Sequence, residues 1–200
     1  MKNDEIWWEK TVEYKFVIEA ERHKGLNFAA PLSGVQERAG DGVFSSDSKI
    51  ILVEFKRGLA DLKTEQDKFI CFESAREEMR GKDTHHYLVY GSKAQEAGSD
   101  LCLNAKHYFS RKSVDSAMSI LDSGLDSEDF MAYLDGLIRL KKVDKRSTGT
   151  VGPESVASAV GVSASGVSAV SLSEYVRIAM PTLYKRLEPT QRRRNNLTLG

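Results

Sequence analysis

The amino-acid sequence predicts a mixed α/β fold, with a central sheet flanked by helices. Two strands and two helices carry that expectation. Residues 49–56 hold an unbroken apolar run, Ile50-Ile51-Leu52-Val53, which marks a strand covered on both faces. Residues 85–90, His-His-Tyr-Leu-Val-Tyr, read as a second buried strand ended by Gly91. Ahead of each lies a segment, 4–22 and 59–80, whose apolar residues recur at helical spacing. The order helix, two or three strands, helix, strand is that of a layered α/β structure.

Taken in order, the first helix can be capped by Asn3 or Asp4 and carries Ile6, Val12, Phe16, Val17 and Ala20 on its apolar side. Gly25 ends it. An irregular stretch through Pro31 leads to Gly40-Asp41-Gly42-Val43-Phe44, followed by the turn chemistry of Ser45 to Ser48. The second helix places Leu59, Leu62, Phe69 and Ile70 on one face. Beyond Gly91, residues 101–109 read as a further strand. Residues 113–122 and 127–142 read as helices, the latter with Phe130, Leu134, Leu137 and Ile138 in a stripe. Residues 172–188 are helical, interrupted at Pro181. The expected organisation is a core over 1–110, a helical extension over 111–146, and a C-terminal segment over 147–200.

Composition bounds the function classes. Of 200 residues, 40% are apolar and 29% charged, which suits a globular chain with a real core. No run approaches the roughly 20 apolar residues of a membrane span, and the charged opening Met1-Lys2-Asn3-Asp4-Glu5 does not resemble a secretory signal. Cys71 and Cys102 sit in apolar surroundings and read as buried thiols of a reducing compartment. A cytoplasmic protein without a membrane partner is the expectation. The formal net charge is zero, so the chain lacks the footprint of a strong general nucleic-acid binder. The halves differ. Residues 1–92 carry 14 basic against 17 acidic side chains, a net of −3, and residues 147–200 carry 6 against 3, a net of +3. In the basic segment, Lys185, Arg186, Arg192, Arg193 and Arg194 can meet phosphates, or can simply solubilise a terminus.

The chemistry concentrates at the end of the strand 49–56. If Asp47-Ser48 makes a two-residue hairpin turn, Ser46 faces Lys49, Phe44 faces Ile51 and Asp41 faces Glu54. Opposed side chains share a face, roughly 4.5–5.5 Å apart at Cβ. Alternation puts Lys56 on the face of Glu54 and Phe55 on the other. Two opposed carboxylates beside an apolar run repel each other unless a cation lies between them. Mg²⁺ is suited to that place, since it takes one or two carboxylates with waters and phosphate oxygens. It can acidify a bound water and polarise a phosphodiester, while Lys56 orients that water or meets developing negative charge. A Glu-x-Lys pair on a strand also occurs as a plain ion pair. The facing acid, the apolar run and the flanking helices distinguish this one.

Asp41, then Glu54-Phe55-Lys56, resembles the D…(D/E)xK signature of the PD-(D/E)xK, or restriction-endonuclease-like, nucleases. The element order over 4–91 resembles their αβββαβ core. The resemblance implies that Asp41, Glu54 and the Phe55 backbone carbonyl hold Mg²⁺, with Mn²⁺ able to substitute, and that Lys56 is the catalytic lysine. Gly40 stands where a proline is often found. Many members add an acid from the first helix, for which Glu13 and Glu19 are available. Gln66, within the stripe of the second helix, resembles a glutamine that exonuclease-like members use near the site, and is equally placed to bond backbone at the core edge. Arg57 and Lys63 are available for phosphate contact or for solvent. His85 and His86 have no third ligand at metal spacing and read as ordinary strand-edge histidines.

Residues 147–171 are almost wholly small. They read either as a flexible linker or, through Ala157, Gly161 and Ser163, as resembling a repressor-type helix-turn-helix. Against the latter, Gly166 weakens the second helix, and serines alone offer little base readout. The leading expectation is a Mg²⁺-dependent deoxyribonuclease with DNA as partner, and a homodimer or a protein partner open to it, in phage, restriction or repair biology. The alternatives are a catalytically inactive module of the same fold that binds nucleic acid or protein, and a small helix-turn-helix regulator.

Overall fold

The apolar run at 50–53 lies where its composition demands, inside a six-stranded mixed sheet. The computed structural model describes residues 7–29, 47–93, 101–141 and 157–187. Its strands are β1 (Leu26–Ala29), β2 (Lys49–Lys56), β3 (His86–Ser92), β4 (Cys102–His107), β5 (Ala157–Ser163) and β6 (Gly166–Ser171). They are ordered β1-β6-β5-β2-β3-β4 across the sheet. Strand β2 runs parallel to β3, with Leu52 beside His86 and Lys56 beside Tyr90. On its other edge it runs antiparallel to β5, with Lys49 beside Val162 and Glu54 beside Ala157.

Helices cover both faces, and strand alternation decides which side chain meets which layer. Ile51, Val53 and Phe55 point to α1 (Glu9–Lys24) and the short 3-10 helix Ala117–Asp122, packing with Val12, Phe16, Ala20, Ile120 and Leu121. Phe16 and Phe55 meet edge to face at 5.5 Å. Ile50 and Leu52 point the other way. There they pack with residues of the 3-10 helix Leu59–Lys68, α2 (Phe72–Glu78), α3 (Ser127–Leu140), α4 (Leu172–Ala179) and α5 (Pro181–Leu187). Asp126 caps α3 by accepting from the Asp129 N–H at 3.0 Å, and Ser171 caps α4 by accepting from the Glu174 N–H at 3.2 Å. Pro181 separates α4 from α5, as expected of a residue without an N–H. No helix among the described residues is long and apolar enough to cross a membrane.

Four expectations are corrected. A strand has two hydrogen-bonding edges, and both edges of β2 are taken, by β3 and β5. The two neighbours of Glu54 are Leu88 and Ala157, so the place expected for Asp41 directly across from it is occupied, and residues 41–46 lie outside the described residues. Secondly, 157–171 is neither linker nor helix-turn-helix but the β5–β6 hairpin, with Ser163 paired to Gly166 across the turn. Its β-branched Val160, Val167 and Val170 are almost wholly buried, which favours a pleated surface, and Gly166 takes a φ of 133° that suits glycine alone. Residues 157–171 accordingly belong to the central sheet, where β5 and β6 lie between β1 and β2. Thirdly, 59–80 is not one helix. Leu59–Lys68 is 3-10, Phe69 is extended, and α2 begins at Phe72. Finally, Cys71 and Cys102 are exposed, since β4 is an edge strand and Cys71 precedes a surface helix.

Candidate functional site

Three features fix the geometry at the C-terminal end of β2. The indole N–H of Trp7 donates to the Arg57 carbonyl at 2.7 Å, and the Gly91 N–H donates to the same oxygen at 3.2 Å. This locks the ends of β2 and β3 together and pins the start of α1 beside them. A Cβ at Gly91 would stand 2.5 Å from the Trp7 indole and 2.9 Å from the Arg57 carbonyl, so only glycine permits that approach.

Inside this frame Glu54 is 2% and Glu65 0% exposed. Both Glu54 oxygens accept from ammonium groups, Oε1 from Lys141 Nζ at 3.0 Å and Oε2 from Lys68 Nζ at 3.0 Å. Glu65 Oε1 lies 2.6 Å from Lys56 Nζ and 2.8 Å from Lys68 Nζ. Its Oε2 accepts from the Tyr108 hydroxyl at 2.8 Å. Lys56 also reaches Glu9 Oε1 of α1 at 3.4 Å. Tyr108 carries the cluster into the core. Its ring stacks on His86 at 3.8 Å and lies 5.5 Å from the Lys141 ammonium, and His86 Nδ1 shares a 2.7 Å hydrogen bond with the Tyr133 hydroxyl.

Charge follows from this geometry. Burial alone would raise the Glu54 carboxyl, but Lys141 and Lys68 overcome it and hold the group well below the ordinary carboxylate range. Burial would lower Lys56, yet Glu65 keeps it above its ordinary value. Lys56 is thus a fixed ammonium, able to donate to negative charge and unsuited to accept a proton. Lys141 is driven below its ordinary value by burial. Burial also drives His86 far below the ordinary histidine range and brings His85 to about 4, so both rings are neutral at pH 7.

The expected residues divide. Glu54 and Lys56 share one face, as predicted, and Phe55 points to the other. Glu13 is buried but belongs to α1 on that opposite face, held by Lys10 at 3.0 Å and by Ser158. Glu19 pairs with Lys15 on the same helix. Gln66 is exposed and Glu65 takes the inward place, because a 3-10 helix aligns every third residue, and Leu62, Glu65 and Lys68 follow that count. Arg57 pairs with Asp61, Lys63 and Lys185 are exposed, and Arg186 reaches Asp135 of α3 at 3.5 Å. Arg192, Arg193 and Arg194 lie outside the described residues. Sequence reasoning missed Glu65, Lys68, Tyr108 and Lys141. Lys141 falls four residues after Leu137, in line with the apolar spacing of 127–142, and is the extended residue that follows α3.

The division predicts a contrast. Gln66→Ala is expected to leave the melting temperature unchanged. Glu65→Gln is expected to lower it by several degrees, since Lys56 and Lys68 lose their shared anion. Thermal melts of both variants at pH 7 check this. Compared with protein-family models, curated proteins and solved structures, the chain gives no significant match.

Proposed function

We propose that the end of β2 is the centre of a metal-dependent phosphodiesterase acting on DNA, with the restriction-endonuclease-like core as its fold. The observation that carries this reading is the buried pair Glu54 and Glu65, bridged by the single, partly exposed ammonium of Lys68. Burying several charges together rarely gains stability over apolar packing, so such a cluster at a strand end favours chemistry. The bridged carboxylates fit Mg²⁺ as donors. Among the described residues no three His, Cys, Asp or Glu side chains form a cage, but Mg²⁺ needs only one or two carboxylates beside waters and phosphate oxygens. Glu54 and Glu65 are the donors on this reading, with Asp41 and the Phe55 carbonyl as the further ligands that the resemblance implies. A bound Mg²⁺ supplies an acidified water and a polarised phosphate. Lys56, locked as an ammonium, meets the negative charge that develops on the phosphoryl oxygens. Lys68, whose side chain is 35% exposed, would be free to face the substrate if a divalent cation were held by the two carboxylates.

A second reading has its own support: every Glu54 and Glu65 oxygen already has a cationic or hydroxyl partner, as in a module whose network only holds the fold. One assay separates them. Wild-type protein with Mg²⁺ or Mn²⁺ is expected to cleave at least one of single-stranded, duplex or branched DNA. Glu54→Ala and Lys56→Ala are expected to lose roughly 10²–10³-fold or more in rate. Equal behaviour of all three proteins on every substrate would remove the enzymatic reading.

A further inference from the structure

Arg111 sits in the turn after β4 with a φ of 59°, the one non-glycine residue with positive φ among the described residues. L-residues enter that region at a cost. The turn enforces it: the Arg111 N–H donates to the His107 carbonyl at 3.1 Å, the His107 N–H donates to the Lys112 carbonyl at 2.9 Å, and the Arg111 carbonyl accepts from Lys106 Nζ at 3.3 Å. So held, the guanidinium lies 5.5 Å from the ring of Phe72 and 5.5 Å from that of Tyr108. Nη1 and Nη2 are both buried, and neither has a hydrogen-bond acceptor among the described residues. No described carboxylate comes within ion-pair distance.

A desolvated, unpaired guanidinium is costly, and its neighbours deepen the anomaly. Among the described residues with an ion pair or ring contact here, Lys56, Lys68, Lys141 and Arg111 give four cations, against three carboxylates in Glu9, Glu54 and Glu65. His86 is neutral. Among these described groups one positive charge is left over, in the group whose planar fork best matches a tetrahedral oxyanion. The cluster is not sealed, since the Lys68 and Glu9 side chains are 35% and 31% exposed.

We propose that Arg111 is the receptor for a phosphate oxyanion, which on the phosphodiesterase reading, where this inference rests, is a phosphate of the nucleic-acid substrate. The turn holds in place for that phosphate a cation that has no counter-ion among the described residues.

The full chain tests this beside Arg111→Met, which keeps the stem over the two rings, and Arg111→Lys, which keeps the charge but loses the fork. In phosphate-free chloride buffer, Arg111→Met is expected to melt at or above the wild type, because an unpaired buried charge has gone. Inorganic phosphate at constant ionic strength is expected to raise the wild-type melting temperature, to act less on Arg111→Lys, and to leave Arg111→Met unmoved. Binding of a labelled oligonucleotide in EDTA is expected to weaken roughly 10- to 100-fold in Arg111→Met. If Arg111→Met melts below the wild type and keeps the phosphate response, Arg111 is a packing residue and the proposal is overturned. No phosphate response in the wild type overturns it as well. An Arg111-dependent phosphate response without DNA binding or cleavage upholds the receptor and removes the phosphodiesterase reading instead.

Discussion

A chain ending at residue 146 is expected to show no cooperative unfolding transition. The reason lies in the sheet order, where β5 and β6 stand between β1 and β2. Deleting them takes away the whole antiparallel ladder of β2 from Lys49 to Glu54 and the only neighbour of β1 among the described strands. It also removes Ala157, Ala159, Val160, Val167, Val170, Leu172, Tyr175 and Val176, each at most 3% exposed. Burying one large apolar side chain is worth about 1.5–3 kcal/mol. Losing even half of the larger ones approaches the ~5–15 kcal/mol by which domains are stable at all. What remains is a bare edge of Ile and Val, a template for aggregation. Far-UV circular dichroism melts and a proton–nitrogen correlation spectrum of 1–146 check this. A sharp transition with dispersed resonances would show that the first 146 residues fold without the C-terminal hairpin.

Glu54→Gln is expected to be the most destabilising of the polar substitutions, at about 3–5 kcal/mol near neutral pH. It leaves Lys141, 3% exposed, without its anion, and halves the anionic partners of Lys68. Because Lys141 Nζ already lies near the rings of Phe69 and Tyr108, Lys141→Met added to Glu54→Gln is expected to recover part of the loss. Acid distinguishes the mechanism. The folded carboxyl sits well below its ordinary value of 4.5, so its contribution is fully present above that value and is lost as pH falls through the folded one. The wild type should therefore lose stability below about pH 4.5 more steeply than Glu54→Gln, and the two curves should converge. Urea titrations at successive pH values measure this, and parallel curves would show that Glu54 is not held as an anion by its lysines.

These two expectations also show what the sequence makes legible. The run Ile50 to Val53 announced a central strand, and alternation placed Glu54 with Lys56 and apart from Phe55. The helices expected from apolar spacing at 4–22 and 127–142 are found as Glu9–Lys24 and Ser127–Leu140, the first beginning after Trp8 and not after Asn3 or Asp4, and the break at Pro181 is found as expected. The partner of Glu54 was not legible. Pairing with the nearest upstream segment is the simplest topology, whereas the observed neighbour, Ala157, lies about a hundred residues away. The β5–β6 hairpin was hidden by its composition, because Ser, Ala, Gly and Val serve a linker, a tight helix turn and a crowded central strand alike. Glu65 was hidden by a period. An α-helical count brings Gln66 under Leu62, while the 3-10 count of Leu59–Lys68 brings Glu65. Lys141 lay in plain view at the end of the apolar spacing of 127–142, but its charge argued for solvent until two carboxylates were buried within reach.

The same sheet order has a consequence in time. Strand β2 leaves the ribosome long before β5, and at about 5–20 residues per second the interval lasts roughly 5–20 s. Throughout it, Ile51 to Val53 lack their β5 partner, and the local helices can form without closing the core. Closure then demands contacts between residues far apart along the chain, which slows folding. Nascent chains of this protein should thus depend on chaperones that shield β2 until Gly166 to Ser171 have emerged.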